Sequence, residues 1–124
     1  MGWNDVKIDV ADKNFSRYVR LLDKRCLRCG RAGTGPDKVF GLQASHFYSR
    51  RKWNTRFDRL NVDSLDAGCH RYFGEHKSEY REFKINQLGQ TEFDKLTIRA
   101  NTPGKRDWAL ARLVTKQLLK ELKG

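Results

Sequence analysis

Cys26-Leu27-Arg28-Cys29-Gly30 sets two thiols one tight turn apart, and a third thiol, Cys69, returns later beside His70. A chain of 124 residues suggests one domain with one modest core, and small cores are marginal without a staple. Three cysteines cannot all pair. In a reducing compartment a Cys-x-x-Cys beside a glycine reads as a metal knuckle or a redox pair. The redox reading needs a helix starting just after the first cysteine, within a βαβ context. Here the pair follows a helical pattern and precedes the glycine-rich stretch 30–37, which favours metal, with zinc the expected ion. A second metal position is conceivable on an imidazole-rich face between His46 and His70.

The expected partner follows from charge. With 26 Lys and Arg against 15 Asp and Glu, the formal net charge is +11. Such a balance favours nucleic acid over a neutral partner. A membrane surface would want a basic amphipathic helix with bulky apolar residues, or a lipidation signal, and neither is present. The start carries no apolar signal-peptide core, and no run reaches transmembrane length. A cytoplasmic protein with no membrane partner is expected.

Apolar period and punctuation place the motifs. Residues 1–10 read as an irregular or strand-like lead-in. Phe15, Tyr18, Val19 and Leu22 form one face of a helix over 12–24, with Arg17, Arg20 and Lys24 left for solvent or phosphate. Residues 39–44 read as a strand ending at His46, 47–58 as a long loop, and 60–65 as a strand pairing back. A short helix over 67–73 bears Cys69 and His70. A second helix covers 77–88, with Gly89 at its end. Thr91 opens a third in a capping box running to Ala100. Asp107 caps a long last helix whose stripe is Leu110, Val114, Leu118 and Leu122. Trp3 and Trp108 are expected to pack, and the aromatics Phe15, Tyr18, Tyr80 and Phe83 face the core by period.

Asn61-Val62-Asp63-Ser64-Leu65-Asp66-Ala67-Gly68-Cys69-His70 resembles the second half of an HNH nuclease motif. That half reads Asn, apolar, two variable residues, Leu, Cys, two variable residues, Cys, His. His46 resembles its first histidine, and Cys26-x-x-Cys29 resembles the zinc knuckle that many such nucleases carry upstream. The context is similar to the NinG (Rap) family of phage recombination nucleases. It shows in Ala11-Asp12-Lys13-Asn14-Phe15, in Ala44-Ser45-His46-Phe47-Tyr48-Ser49-Arg50-Arg51, in Thr55-Arg56-Phe57-Asp58 and in Gly74-Glu75. The resemblance covers about residues 11–76.

It implies an α+β fold: a ββα-metal core with a zinc knuckle over 26–76, an N-terminal helix within 1–25 and a helical extension over 77–124, all one domain. It implies a metal-dependent endonuclease acting on DNA, with branched recombination intermediates such as Holliday junctions or flaps as substrates. His46 would be the general base, since imidazole titrates near neutral pH. His70 would bind a catalytic Mg2+ or Mn2+. Asn61 would orient the loop that bears His46, or join the metal shell. Cys26, Cys29 and Cys69 would hold zinc. Asp66 stands where the family has a further zinc cysteine; it reads equally as a carboxylate ligand or as a helix cap. Ser45 stands where many HNH nucleases carry an acidic metal ligand. Glu75 and His76 are candidates to complete the catalytic shell.

Arg50, Arg51, Lys52, Trp53 and Arg56 lie between His46 and Asn61, and contact with the DNA backbone is expected of them. Trp53 would stack on an unpaired base or anchor its own loop. A junction needs two cuts, which suggests a homodimer with the last helix as its surface. Other readings stay open: a non-catalytic zinc-knuckle module that binds DNA, or a homing or nicking nuclease on the same fold.

Overall fold

The computed structural model describes residues 6–123; the expectations for Trp3 and for the first residues of the lead-in lie outside the described residues. The fold is α+β. Helix α1 (Val10–Asp23) is followed by strand β1 (Leu42–His46), the one-turn helix α2 (Trp53–Arg56), a 3-10 turn (Arg59–Asn61) and strand β2 (Val62–Asp66). Helices α3 (Ala67–Glu75), α4 (Lys77–Leu88), α5 (Gln90–Asn101) and α6 (Trp108–Lys123) complete it.

Helix α1 begins two residues before its expected start. Asp9 caps it, accepting from the Ala11 amide at 2.9 Å, and Asp12 reaches back to the Asp9 amide at 2.7 Å. Its inner face is Ala11, Phe15 and Val19, and Leu22 is left exposed. The helix stops because Lys24 adopts a left-handed conformation, φ 58°.

β1 and β2 form an antiparallel hairpin in the register Gln43↔Leu65, Ser45↔Asp63 and His46↔Val62. Both strands start later than the alternation predicts. Residues 39–41 turn instead, with Gly41 at φ 88°, and Arg59–Asn61 winds into a 3-10 turn capped by Asp58, which accepts from the Leu60 amide at 3.0 Å. Every residue of β2 is buried. Its polar side chains are therefore answered internally. Asp63 accepts from Lys84 Nζ at 3.2 and 3.3 Å, from Tyr80 at 3.1 Å and from Gln87 at 2.9 Å. Thus α4 presents a polar face, Tyr80–Lys84–Gln87, to the hairpin. Burial of the Lys84 ammonium would be costly without the Asp63 carboxylate.

One apolar cluster joins Cys26, Leu42, Leu65, Cys69, Phe73 and Tyr80; a second joins Phe15, Val19 and Val62 with half-buried Phe57 and Leu118. The hairpin is the partition between them. α5 starts at Gln90 without the expected capping box: Gly89, at φ 85°, lets α4 end and α5 begin with one intervening residue. α6 is capped by Asp107 as expected, which accepts from the Leu110 amide at 3.0 Å. Its buried stripe, however, is Ala111, Thr115 and part of Leu118. Leu110, Val114 and Leu122 face solvent, together with Leu113. Small residues win the inner face because α6 packs closely along α1, where Asn14 donates to the Thr115 hydroxyl at 3.2 Å.

Candidate metal centre and histidine cleft

The hairpin and α3 contribute to two clusters that share no residue. The first is sulfur-rich. Cys26 and Cys29 come from the turn after α1, Asp66 ends β2, and Cys69 lies in the first turn of α3. One donor atom from each lies within 4.8 Å of all the others. Sulfurs about 2.3 Å from a tetrahedral zinc stand about 3.8 Å apart, so the four donors are spaced to hold a metal ion such as zinc. The set is of the closed, structural kind. All three cysteines are free thiols.

Asp66 serves both readings that its position allows, one oxygen each. Oδ1 caps α3 by accepting from the Cys69 amide at 2.7 Å; Oδ2 stands 3.0 Å from Cys29 Sγ. These contacts, with Cys29 first and the Cys69 amide next, hold its carboxyl below the usual carboxylate range. Burial pushes the Cys69 thiol up to about 12. Arg28, inside the knuckle, donates to Cys69 Sγ at 3.4 Å while lying 4.0 Å over the Tyr72 ring. A cation there favours the thiolate that a metal needs.

The second cluster is an open cleft of about 390 Å³. His46, at the end of β1, and His70, on α3, both line it, with Ala44 and Arg50. Ala44 and His46 share a strand face by the two-residue period. His46 Nε2 lies 2.9 Å from the carbonyl oxygen of Arg56. A carbonyl can only accept, so Nε2 carries the proton and Nδ1 is the bare nitrogen. Nδ1 is buried and has no partner in the protein. Burial, reinforced by the nearby Arg50 cation, lowers the His46 pKa to about 4, so the ring is neutral at pH 7. His70 Nδ1 sits 2.6 Å from Gln43 Oε1, which leaves its Nε2 bare. Burial, then Arg50 and Lys77, also lowers the His70 pKa.

Asn61 is fully buried and its amide is saturated. Oδ1 accepts from the Tyr48 amide at 2.8 Å, while Nδ2 donates to the Tyr48 and Thr55 carbonyls at 2.9 and 3.0 Å. Both ends of the amide are thus tied to the loop, which is the first of its two expected roles.

Arg56 requires a correction. It is 1% exposed, so it cannot reach a phosphate. Its guanidinium forms a two-pronged pair with buried Asp12, at 2.9 and 2.8 Å, and donates to the carbonyls of Lys7 and Arg50. Within the expected long loop, which otherwise holds, Trp53–Arg56 winds into the one turn of α2. Trp53 anchors that segment, packing edge-to-face on Trp108 at 4.9 Å and on Phe57 at 5.5 Å. Arg50, Arg51 and Lys52 stay at or near the surface.

Ser45 points away from the cleft, buried against the Tyr80 hydroxyl at 3.0 Å. Glu75 and His76 do not line the cleft; His76 stacks on Tyr72, ring centres 3.9 Å apart. Three partners escape a reading of the sequence: Gln43 behind His70, Arg28 behind Cys69, and Asp12, which fixes Arg56 and through its carbonyl His46. Only Asp12 left a trace, lying in the 11–15 segment of the family resemblance. Comparison with protein-family models, curated proteins and solved structures finds no match to this chain.

Proposed function

We propose that the protein is a metal-dependent HNH endonuclease that hydrolyses DNA phosphodiester bonds, with zinc in the Cys26–Cys29–Asp66–Cys69 cluster. One observation carries the reading: a neutral imidazole, His46, is locked through Nε2–H and keeps its buried Nδ1 without a protein partner, beside a cleft that a second oriented histidine also lines. That is the arrangement a general base needs. The family resemblance and the net charge of +11 point the same way.

In this reading His46 Nδ1 takes the proton from a water whose oxygen forms the new bond to phosphorus, as the bond from phosphorus to the leaving 3′-oxygen breaks. The anionic phosphate beside the ring raises its lowered pKa back toward the working range. The Arg56 carbonyl and the Asn61 amide keep the base and its loop in place. A Mg2+ or Mn2+ ion bound in the cleft would supply Lewis-acid stabilisation of the phosphate and the leaving oxygen. The residues suit such an ion only together with substrate. With His46 Nδ1 kept for the base, His70 Nε2 is the bare imidazole nitrogen left for an ion, and no carboxylate lines the cleft among the described residues, so phosphate oxygens and water must complete the shell.

That missing carboxylate favours a second reading, a non-catalytic zinc-stapled module that binds DNA. Branched DNA as the substrate rests on the resemblance to the phage recombination nucleases. Two cuts at a junction would need a second copy, and exposed Leu110, Leu113 and Val114 on α6 offer a face for it. The deciding assay presents junction, flap, nicked and duplex DNA to the purified protein with Mg2+ or Mn2+. Cleavage with a preference for branched DNA is expected. Binding without cleavage on every substrate and with either ion selects the second reading.

A further inference from the structure

Some cations of this chain are held in ion pairs and others are not. Arg17, Arg50, Arg56, Arg59, Lys84, Lys95, Arg99 and Arg112 each sit in an ion pair. Among the described residues no ion pair engages Lys13, Arg20, Lys52 or Arg106. Other Lys and Arg among the described residues also lack an ion pair, but these four line hollows that adjoin the histidine cleft. Lys13 and Arg20 line a depression of about 260 Å³ on α1, which also includes Arg50. Lys52 and Arg106 line another, of about 320 Å³, between α2 and the loop before α6; Arg51 belongs to it as well.

The histidine cleft lies between the two. It shares Arg50 with the α1 depression and Arg51 with the loop depression, whereas the two outer depressions share no residue. Consecutive residues of one loop therefore link three hollows in a row, with the candidate base in the middle one. The loop wall is built rather than loose. Asn54 Nδ2 donates to the Thr102 carbonyl at 2.8 Å, and a Cβ on Gly104 would meet the Asn54 side chain at 2.1 Å. This close approach fixes the segment that carries Arg106.

We infer that a DNA duplex lies along this track, its backbone held on one side of the cleft by Lys13 and Arg20 of α1 and on the other by Lys52 and Arg106. The inference rests on the reading of the protein as one that acts on DNA, and it adds where the strand runs. Lys13 and Arg20 on α1 and Arg106 in the loop before α6 lie outside the hairpin–helix unit, whereas Lys52 belongs to the segment that joins its two strands. Contacts of this kind fix position along the backbone and carry no sequence information.

The test measures binding of a duplex of roughly 20 base pairs, without divalent ions or chelator, across a range of salt. Each phosphate contact contributes about one unit to the slope of log affinity against log salt. The Arg106→Ala slope is expected to fall by about one unit and that of Lys13→Ala/Arg20→Ala by about two. Lys95→Ala removes the same charge from the surface outside the track and is expected to keep the wild-type slope. A track variant with the wild-type slope removes its flank, and a Lys95→Ala slope as low as that of Arg106→Ala overturns the track. If the wild-type protein binds no duplex at any salt tested, the DNA reading fails and takes the track with it. Thermal melting of each variant, unchanged from wild type, excludes unfolding as the cause.

Discussion

Cys69 and His70 are neighbours on α3, yet they belong to opposite kinds of site. In one, four donors from three segments converge until each is within reach of one ion. In the other, two imidazoles are each tied down through one nitrogen and keep the second bare. The closed set has nothing left to offer a substrate. The open set has little hold on an ion by itself but room for a ligand. A helix delivers both because consecutive residues point about 100° apart, so one short element can pin a fold with one side chain and serve a cleft with the next.

If the closed cluster is the staple, its loss has the largest effect. Cys26→Ser is expected to abolish stoichiometric zinc and the cooperative thermal transition, since metal binding of this kind is folding free energy. Zinc analysis and melting check it. Less than about half a zinc per wild-type chain would contradict the staple.

The open cleft stands on protein contacts instead. Arg56→Ala leaves buried Asp12 with Arg50, 3.7 Å away, as its remaining counter-charge and is expected to cost about 3 kcal/mol in denaturant unfolding. Loss of DNA affinity at unchanged stability would instead restore Arg56 as a phosphate contact.

A third expectation concerns pH. His46 has a pKa of about 4 in the folded chain, against 6.5 when unperturbed. Between those values the unfolded chain takes up a proton that the folded ring refuses, so stability falls as pH drops from about 6.5 to about 4 and levels off below. The His46 share of the loss is about 3 kcal/mol. Comparing urea unfolding of wild type and His46→Ala across that range isolates it, and parallel curves would contradict the buried, neutral ring.

The smallest expected effect is at Gln43. Gln43→Ala frees the His70 ring and is expected to raise the divalent-ion concentration needed for cleavage about 10-fold, in line with removal of a ligand-orienting partner. Melting temperature should not move. An unchanged ion titration would mean that His70 is held some other way.

What the sequence disclosed and what it withheld follow from the range of the interactions. The α1 face, the hairpin, α3 and the span of α4 were legible because period and punctuation act over a few residues. Cys26 and Cys29 were legible from their spacing, and Cys69 and Asp66 joined them through the family resemblance, which left Asp66 open between ligand and cap. The fate of Arg56 was not. An arginine between two others reads as surface, and only the fold brings Asp12, far back in the chain, against it. The α6 stripe misled for a related reason. Leu110, Val114 and Leu122 have the right period, but close packing on α1 selects Ala111 and Thr115 for the inner face. Gln43 carried no signal, since nothing in its spacing marks it as the partner of a histidine on another element.

The most direct test of the central claim compares wild type with His46→Ala on branched and duplex DNA in Mg2+ or Mn2+, with binding measured in parallel. A general base of this kind is worth about 10²–10⁴-fold in rate. The account predicts ion-dependent cleavage by wild type, a loss of that size in the variant, and equal affinity for DNA. Cleavage by His46→Ala at the wild-type rate, or none by wild type itself, would contradict it.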